Sequence, residues 1–327
     1  MKAFELDQTA RAGSVSGPPT SWDDVADRSF RGLAQVSVWL ILLLLAFILW
    51  SIGGKAWVGM REYGLGFLTS TTWDVGKQQF GVLPQIWGTL YSSLLALMIG
   101  GFFGVVMAIF LTQDFLPPRL AQVFRTTVEL LAAIPSVVYG LWGLFVVVPA
   151  MRPVANWLAD HLGWIPFFGT TLSGPGLAPA ALVLAIMVLP TVAAVSQDAL
   201  RLVPYKVKEA AYGMGATRWE AILKVMLPAA STGIFGALVL GFGRALGETM
   251  ALAMLIGNSN QISLSIFSPA NTLAALLALN FPEAGPREVQ VLMYAALVLL
   301  AITLVVNLIG EAIMTLSARR AGVRHLR

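Results

Sequence analysis

Six apolar stretches long enough to cross a bilayer dominate this chain and leave it few folds to choose from. They run over about Leu33–Ile52, Gly88–Leu111, Val128–Val148, Ala178–Val195, Gly233–Ile256 and Val289–Leu316. A spanning helix needs about 20 predominantly apolar residues, and in lipid every backbone N–H and C=O must be satisfied within the protein. The runs therefore predict an all-α, polytopic membrane protein with six transmembrane helices. Composition agrees: of 327 residues 57% are hydrophobic and 12% charged, with a mean hydropathy of +0.77.

The charges report orientation. Of the 21 Lys and Arg, fifteen fall on the segments placed inside if both termini are cytoplasmic, five fall outside, and Arg244 lies within the fifth run. Lys and Arg accumulate on cytoplasmic loops, so this bias puts both termini and the segment Lys206–Pro228 in the cytoplasm and offers no case for a nucleic-acid partner. Cysteine is absent and the two histidines, His161 and His325, are isolated, which removes disulfides, thiolate chemistry and a metal site together. No cofactor is expected. Residues Met1–Arg31, rich in Asp, Ser, Gly and Pro, hold no signal-peptide core before Leu33, and Trp22–Phe30 reads as part of a disordered arm rather than an interfacial helix.

Between the fourth and fifth runs lies a basic, polar segment. Glu209-Ala210-Ala211 is followed after three residues by Gly215, and after nine more by Val225-Met226-Leu227-Pro228. The spacing predicts helix, turn at Gly215, helix, with Trp219, Ile222, Leu223 and Met226 sharing one face of the second arm. This pattern resembles the EAA loop of ABC importer permeases, with Val225 where Ile is common. The resemblance implies that Glu209, Ala210, Ala211, Gly215, Leu227 and Pro228 couple the chain to a cytosolic ATPase.

Two apolar runs carry residues that lipid does not favour. In the third, Ile134-Pro135-Ser136-Val137-Val138-Tyr139-Gly140 places a proline that frees a backbone carbonyl, making Ser136 and Tyr139 candidates for a polar pathway or parts of a structural kink. In the fifth, Gly243-Arg244-Ala245-Leu246-Gly247-Glu248-Thr249-Met250 sets two charges four residues apart. On a continuous helix Arg244 and Glu248 share a face and pair, easing a penalty of roughly 2.5–3.5 kcal/mol for a charge at mid-membrane. Arg244, Glu248 and Thr249 join the pathway candidates, against the alternative of an ion pair that only packs helices. Gly100 and Gly104 in the second run form a Gly-xxx-Gly pair suited to close helix approach.

The strings Ala132–Leu144 and Gly243–Ala251, with Gly66–Asp74 and Phe80-Gly81 in the first external loop, resemble the PstC-type permeases of phosphate-specific ABC importers. That resemblance covers nearly everything after about Phe67. It implies a type I importer (MetI-like) fold with a cytoplasmic tail over 1–32, a first span and external loop over 33–84, a permease domain over 85–317 with its coupling loop at 206–228, and a tail over 318–327. It also implies phosphate import across a bacterial inner membrane with three partners: a second, PstA-type permease, a PstB-type ATPase dimer and an external PstS-type phosphate-binding protein. Membrane lipid surrounds the whole. The external loop Lys55–Pro84 would meet the binding protein. A permease for another oxyanion such as molybdate or tungstate, and a non-transporting membrane sensor or scaffold, are the alternative readings. No Gly-xxxx-Gly-Lys-Ser/Thr motif occurs, so catalytic residues are absent and ATP hydrolysis falls to a partner.

The absence of native cysteine makes orientation directly testable. Single substitutions Asp74→Cys, Asp160→Cys and Ala284→Cys should react with an impermeant thiol reagent in intact cells, and Met214→Cys only after permeabilisation; labelling of the last in intact cells would invert the assignment.

Overall fold

The computed structural model describes residues 21–113 and 115–320 and is almost entirely helical. Among the described residues, six helices are long and apolar enough to span a membrane. The chain separates into two compact units, residues 1–54 and 55–327. In the first, the opening helix α1 (Ser21–Tyr63) presents apolar side chains from Leu33 to Trp50 that are exposed all round. A helix apolar on every side suits a lipid environment. Helix begins at Ser21, so Trp22–Phe30 belongs to α1 and is not a disordered arm. The reason is continuity: helix is cooperative, and a run with no proline or glycine between Ser21 and Arg31 simply extends the helix that follows. The expectation for residues before Ser21 falls outside the described residues.

In the second unit α1 ends at Tyr63, a short helix α2 (Gly66–Thr69) follows, and strands β1 (Trp73–Asp74) and β2 (Gln79–Phe80) pair antiparallel as Trp73↔Phe80 and Asp74↔Gln79. The turn is fixed by Asp74, whose carboxylate accepts the Lys77 backbone N–H at 2.9 Å and faces the Lys77 ammonium at 3.6 Å. That backbone hydrogen bond, aided by the Lys77 charge, holds the Asp74 carboxyl below its usual pKa. Tyr63, Trp73 and Phe80 pack edge to face beneath the hairpin, and Phe67 stacks on Tyr294 at 4.4 Å.

The spanning helices of this unit are α3 (Leu83–Thr112), α5 (Ser136–Leu162, with a wide π turn over Gly143–Val147), α6 (Leu177–Arg201), α8 (Arg218–Leu246, with a π turn over Ala221–Met226) and α11 (Pro286–Arg320). Shorter helices connect them: α4 (Pro118–Ala133), α7 (Tyr205–Gly213), α9 (Met250–Leu255) and α10 (Leu273–Asn280). Helix α6 is central, with α3, α4 and α8 packed along it. Its residues Val183, Leu184, Ala185, Val188 and Val192 are each no more than 2% exposed.

Small residues make those contacts close. A Cβ added at Gly100 would overlap the Ala185 carbonyl, and one at Gly104 would lie 2.9 Å from the Val192 Cβ. Lipid gives helices no hydrophobic reason to associate, so close backbone approach and van der Waals contact carry the packing.

Three expectations about the spans change. Residues 128–133 belong to α4, a separate amphipathic helix, and the third span starts at Ser136, because Pro135 offers no N–H and Ile134 is extended at ψ 127°. The fifth span stops at Leu246 and restarts as α9, breaking at Gly247-Glu248-Thr249. The segment Asn271–Pro286, expected as a loop, contains α10, whose Leu273–Leu276 are buried although eight residues span only about 12 Å.

Gly100→Ala should destabilise the solubilised protein by roughly 1–3 kcal/mol through overpacking. Gly54→Ala, with no atom within 4 Å of its added Cβ, should not. Thermal midpoints of the two variants in one detergent provide the comparison, and equal midpoints would contradict the close α3–α6 contact.

Candidate functional site

Two polar regions interrupt the apolar bundle, and each is built from local chain chemistry. The first is the hairpin of α7 and the start of α8. Helix α7 closes as a Schellman motif: the Ala216 N–H donates to the Ala211 carbonyl at 3.1 Å and the Gly215 N–H to Tyr212 at 2.9 Å, with Gly215 at φ +83°. This left-handed conformation is why glycine stands there, since open space surrounds the position. Thr217 then caps α8 in a reciprocal box, accepting the Glu220 N–H while Glu220 Oε2 accepts the Thr217 N–H at 3.0 Å. The Thr-x-x-Glu spacing is the sequence signature of that cap.

The hairpin is tied to the end of α3. Arg218 donates to the Gln113 carbonyl and lies over the Phe115 ring at 4.2 Å, and Phe115 packs at a tilt against Trp219, 5.1 Å between ring centres. Ala211, Ile222 and Met226 are buried, whereas Glu209 and Ala210 are exposed. Trp219 and Leu223 are about half exposed, so the four apolar residues expected on one face divide into two. The π turn over Ala221–Met226 has more residues per turn than an α-helix and shifts the register. Tyr205, Tyr212, Met214, Trp219 and Leu223 are all exposed on the hairpin, as is Glu209, and Leu227-Pro228 continues into the span as part of one helix.

The second region is the break after Leu246. Arg244 is exposed and lines a cavity of about 370 Å³ with Thr191, Leu240, Gly243, Thr303 and Asn307. Gly243 leaves room for the Asn307 amide, whose Oδ1 would lie 3.3 Å from a Cβ there. Glu248 turns the other way: its Oε1 accepts the Ala251 N–H at 3.3 Å and caps α9, and Thr249 Oγ1 donates to the Gly247 carbonyl at 3.1 Å. Among the described residues Arg244 joins no ion pair. The expected Arg244–Glu248 pair is therefore not formed, because the four-residue spacing aligns side chains only on an unbroken helix, and this one ends between them.

Ser136 and Tyr139 open α5 on the far side of the Pro135 break. Tyr139 is buried, and its hydroxyl donates at 2.8 Å to the Leu131 carbonyl, four residues before Pro135. That carbonyl is the one a proline at 135 leaves without its helical N–H. Gly140 brings α5 against α9, with the Ala251 Cα 3.2 Å from an added Cβ, so Tyr139 sits near the Glu248–Thr249 break as a strut. Ser136 lies half-buried at the first turn of α5. The polar partners around Arg244, namely Thr191, Thr303 and Asn307, were not among the sequence candidates, although Asn307 in an otherwise apolar run is a readable signal.

The family model described as binding-protein-dependent transport system inner membrane component matches residues 100–323. The chain belongs to that family. This permease is a multi-pass inner-membrane transport component, and its relatives are similar along most of their length. The phosphate transport system permease protein PstC of Haemophilus influenzae is 40% identical over 291 residues, covering 88% of this chain and 92% of that protein. Its counterpart from Pasteurella multocida is 39% identical over 298 residues, covering 90% and 93%. Among solved structures, a bacterial alginate ABC transporter in complex with an alginate pentasaccharide-bound periplasmic protein superposes with a TM-score of 0.59 at 18% identity, covering 92% of this chain and 98% of that one. The likeness of fold to an ABC importer permease extends over the chain.

Tyr139→Phe should leave the Leu131 carbonyl unsatisfied and cost roughly 1–3 kcal/mol of stability. If the hydroxyl is a strut, uptake per assembled complex stays near wild type while the thermal midpoint falls; an unchanged midpoint with lost uptake would return Tyr139 to the pathway.

Proposed function

We propose that this permease passes inorganic phosphate inward as one subunit of an ATP-driven importer. The observation that carries the reading is Arg244, an arginine without an ion pair among the described residues, which lines a cavity with Thr191, Thr303 and Asn307 just before the break in an otherwise apolar helix. A charge in such a place is costly, and a planar guanidinium that keeps its proton offers two parallel hydrogen bonds to an oxyanion. Phosphate is chosen among oxyanions because the extensive PstC relatives are phosphate transport permeases. Arg244 would engage the anion in passage, with Thr249 and Ser136 nearby on the path. Glu248, spent on capping α9, would hold the break open rather than neutralise Arg244.

Import against an inside-negative potential costs roughly 2.3 kcal/mol per charge per 100 mV, so a separate energy source is required. ATP hydrolysis would fall to a PstB-type dimer seated on the exposed surface around Glu209, Ala210, Met214 and Trp219, with Gly215 as the fixed turn. A PstA-type permease would complete the membrane unit and a PstS-type protein would deliver phosphate outside, meeting the β1–β2 hairpin. Both termini would be cytoplasmic, with tails over 1–32 and 318–327 flanking the first span and loop (33–84) and the permease domain (85–317).

ATP-dependent uptake of labelled phosphate by the complex in liposomes, competed with sulfate and molybdate, tests the substrate. In the same assay Arg244→Ala should reduce uptake per assembled complex by about 10- to 100-fold, equivalent to losing roughly 1.5–3 kcal/mol from a charged hydrogen bond. Arg244→Lys should be impaired as well. Since Glu248 does not depend on Arg244, assembly should persist, and wild-type uptake by Arg244→Ala would remove the arginine from the path.

A further inference from the structure

A second charged cavity lies away from Arg244. Helices α4 and α6 enclose about 400 Å³ lined by Arg125, Glu129, Pro190, Gln197, Asp198 and Arg201, and its lining shares no residue with the Arg244 cavity. It sits at the docking-hairpin end of α6, where Arg201 is the last helical residue and α7 begins at Tyr205.

Its hydrogen-bonding groups are out of balance. Arg125 Nε is buried and has no partner, although Glu129 stands one turn away on the same helix. Gln197 is 7% exposed and makes no side-chain hydrogen bond among the described residues. Arg201 meets Asp198 at only 3.9 Å, and both side chains reach solvent at the cavity mouth, so most of the arginine's donors are open to water or to a ligand. Donors from two helices therefore converge on a space with room for a tetrahedral anion and several waters, each water taking about 30 Å³.

The two carboxylates narrow the ligand. Ionised Glu129 and Asp198 only accept hydrogen bonds, so they repel a fully deprotonated anion and favour one that carries its own proton. A phosphate with a P–OH group can accept from the arginines and Gln197 while donating to a carboxylate. Sulfate has no such proton, and neither has a phosphodiester lipid headgroup.

We propose that this cavity is a second oxyanion site, facing the cytoplasm, that takes protonated phosphate. A bound anion bridging Arg125 on α4 and Arg201 on α6 ties two helices together at the base of the docking hairpin, so phosphate accumulating inside slows the cycle that imports it. A ligand shifts such a motion only through unequal affinity for its states, and the anion binds best where both arginines reach it. The inference rests on the phosphate reading for its physiological ligand, but binding is measured apart from transport.

The chain lacks cysteine, so Ala194→Cys, exposed in the cavity wall, makes its only thiol. In the assembled transporter, reconstituted in phosphatidylcholine with the docking face accessible, inorganic phosphate should slow alkylation of this thiol by an impermeant maleimide and sulfate should not. Arg125→Gln or Arg201→Gln should raise the half-protecting phosphate concentration by about tenfold or more, as expected for loss of a charged hydrogen-bond donor. Glu129→Gln should let sulfate protect as well, which keeps the test decisive if an arginine variant assembles poorly. Protection should survive Arg244→Ala, so failure here and failure of the transport reading remain distinguishable. Absence of phosphate protection, equal protection by sulfate in the Glu129 form, or protection that appears only with phosphatidylglycerol would each overturn the proposal.

Discussion

Backbone hydrogen bonding in a medium without water governs this protein. Within lipid an unsatisfied carbonyl or N–H has no solvent to turn to, so each interruption of a spanning helix needs a substitute partner from the chain itself. Pro135 breaks the α4–α5 path, and Tyr139 supplies the hydrogen bond that Leu131 loses. The break at Gly247–Thr249 is served by Glu248, which caps α9, and by Thr249, which donates to the Gly247 carbonyl. These two repaired breaks lie close together because Gly140 lets α5 and α9 touch through backbone and Met254 atoms.

This arrangement explains how one bundle can be tightly packed and still hold cavities that charged side chains line. The α3–α6–α8 contacts use Gly100, Gly104 and Gly241 to bring backbones together, and they leave little space. Space opens instead where helices stop or are wedged apart, beside Arg244 and beside Arg125 and Arg201. A chain that must move an ion needs both properties, since a site for it has to be polar while the surrounding wall has to be continuous. The hairpin of α7 and α8 is held by local bonds as well: a Schellman motif and a capping box fix its turn, and the Arg218–Phe115–Trp219 contact ties it to the end of α3.

Much of this was legible in residue order. Six apolar runs required six spanning helices because the period and length of each run reflect a local rule about one segment and its solvent. Gly215 could be read as a turn, since only glycine easily takes a left-handed conformation, and the Gly100–Gly104 pair as a packing face. Arg244 stood out for the same kind of reason, being a charge in an apolar stretch.

What residue order left undecided was whether neighbouring residues act together. A spacing of four pairs Arg244 with Glu248 only if helix persists between them, and that depends on whether α9 finds better packing against α5 as a separate piece. The same holds for Trp219 and Leu223, which a π turn rotates away from Ile222 and Met226, and for Tyr139, whose hydroxyl serves a carbonyl eight residues back. By itself the sequence determined the solvent, the number of spans and the special residues, because hydropathy and backbone preference act one segment at a time. Tertiary structure alone decided which of those residues pair, cap or stand free, because helix breaks are set by contacts between segments far apart in the chain.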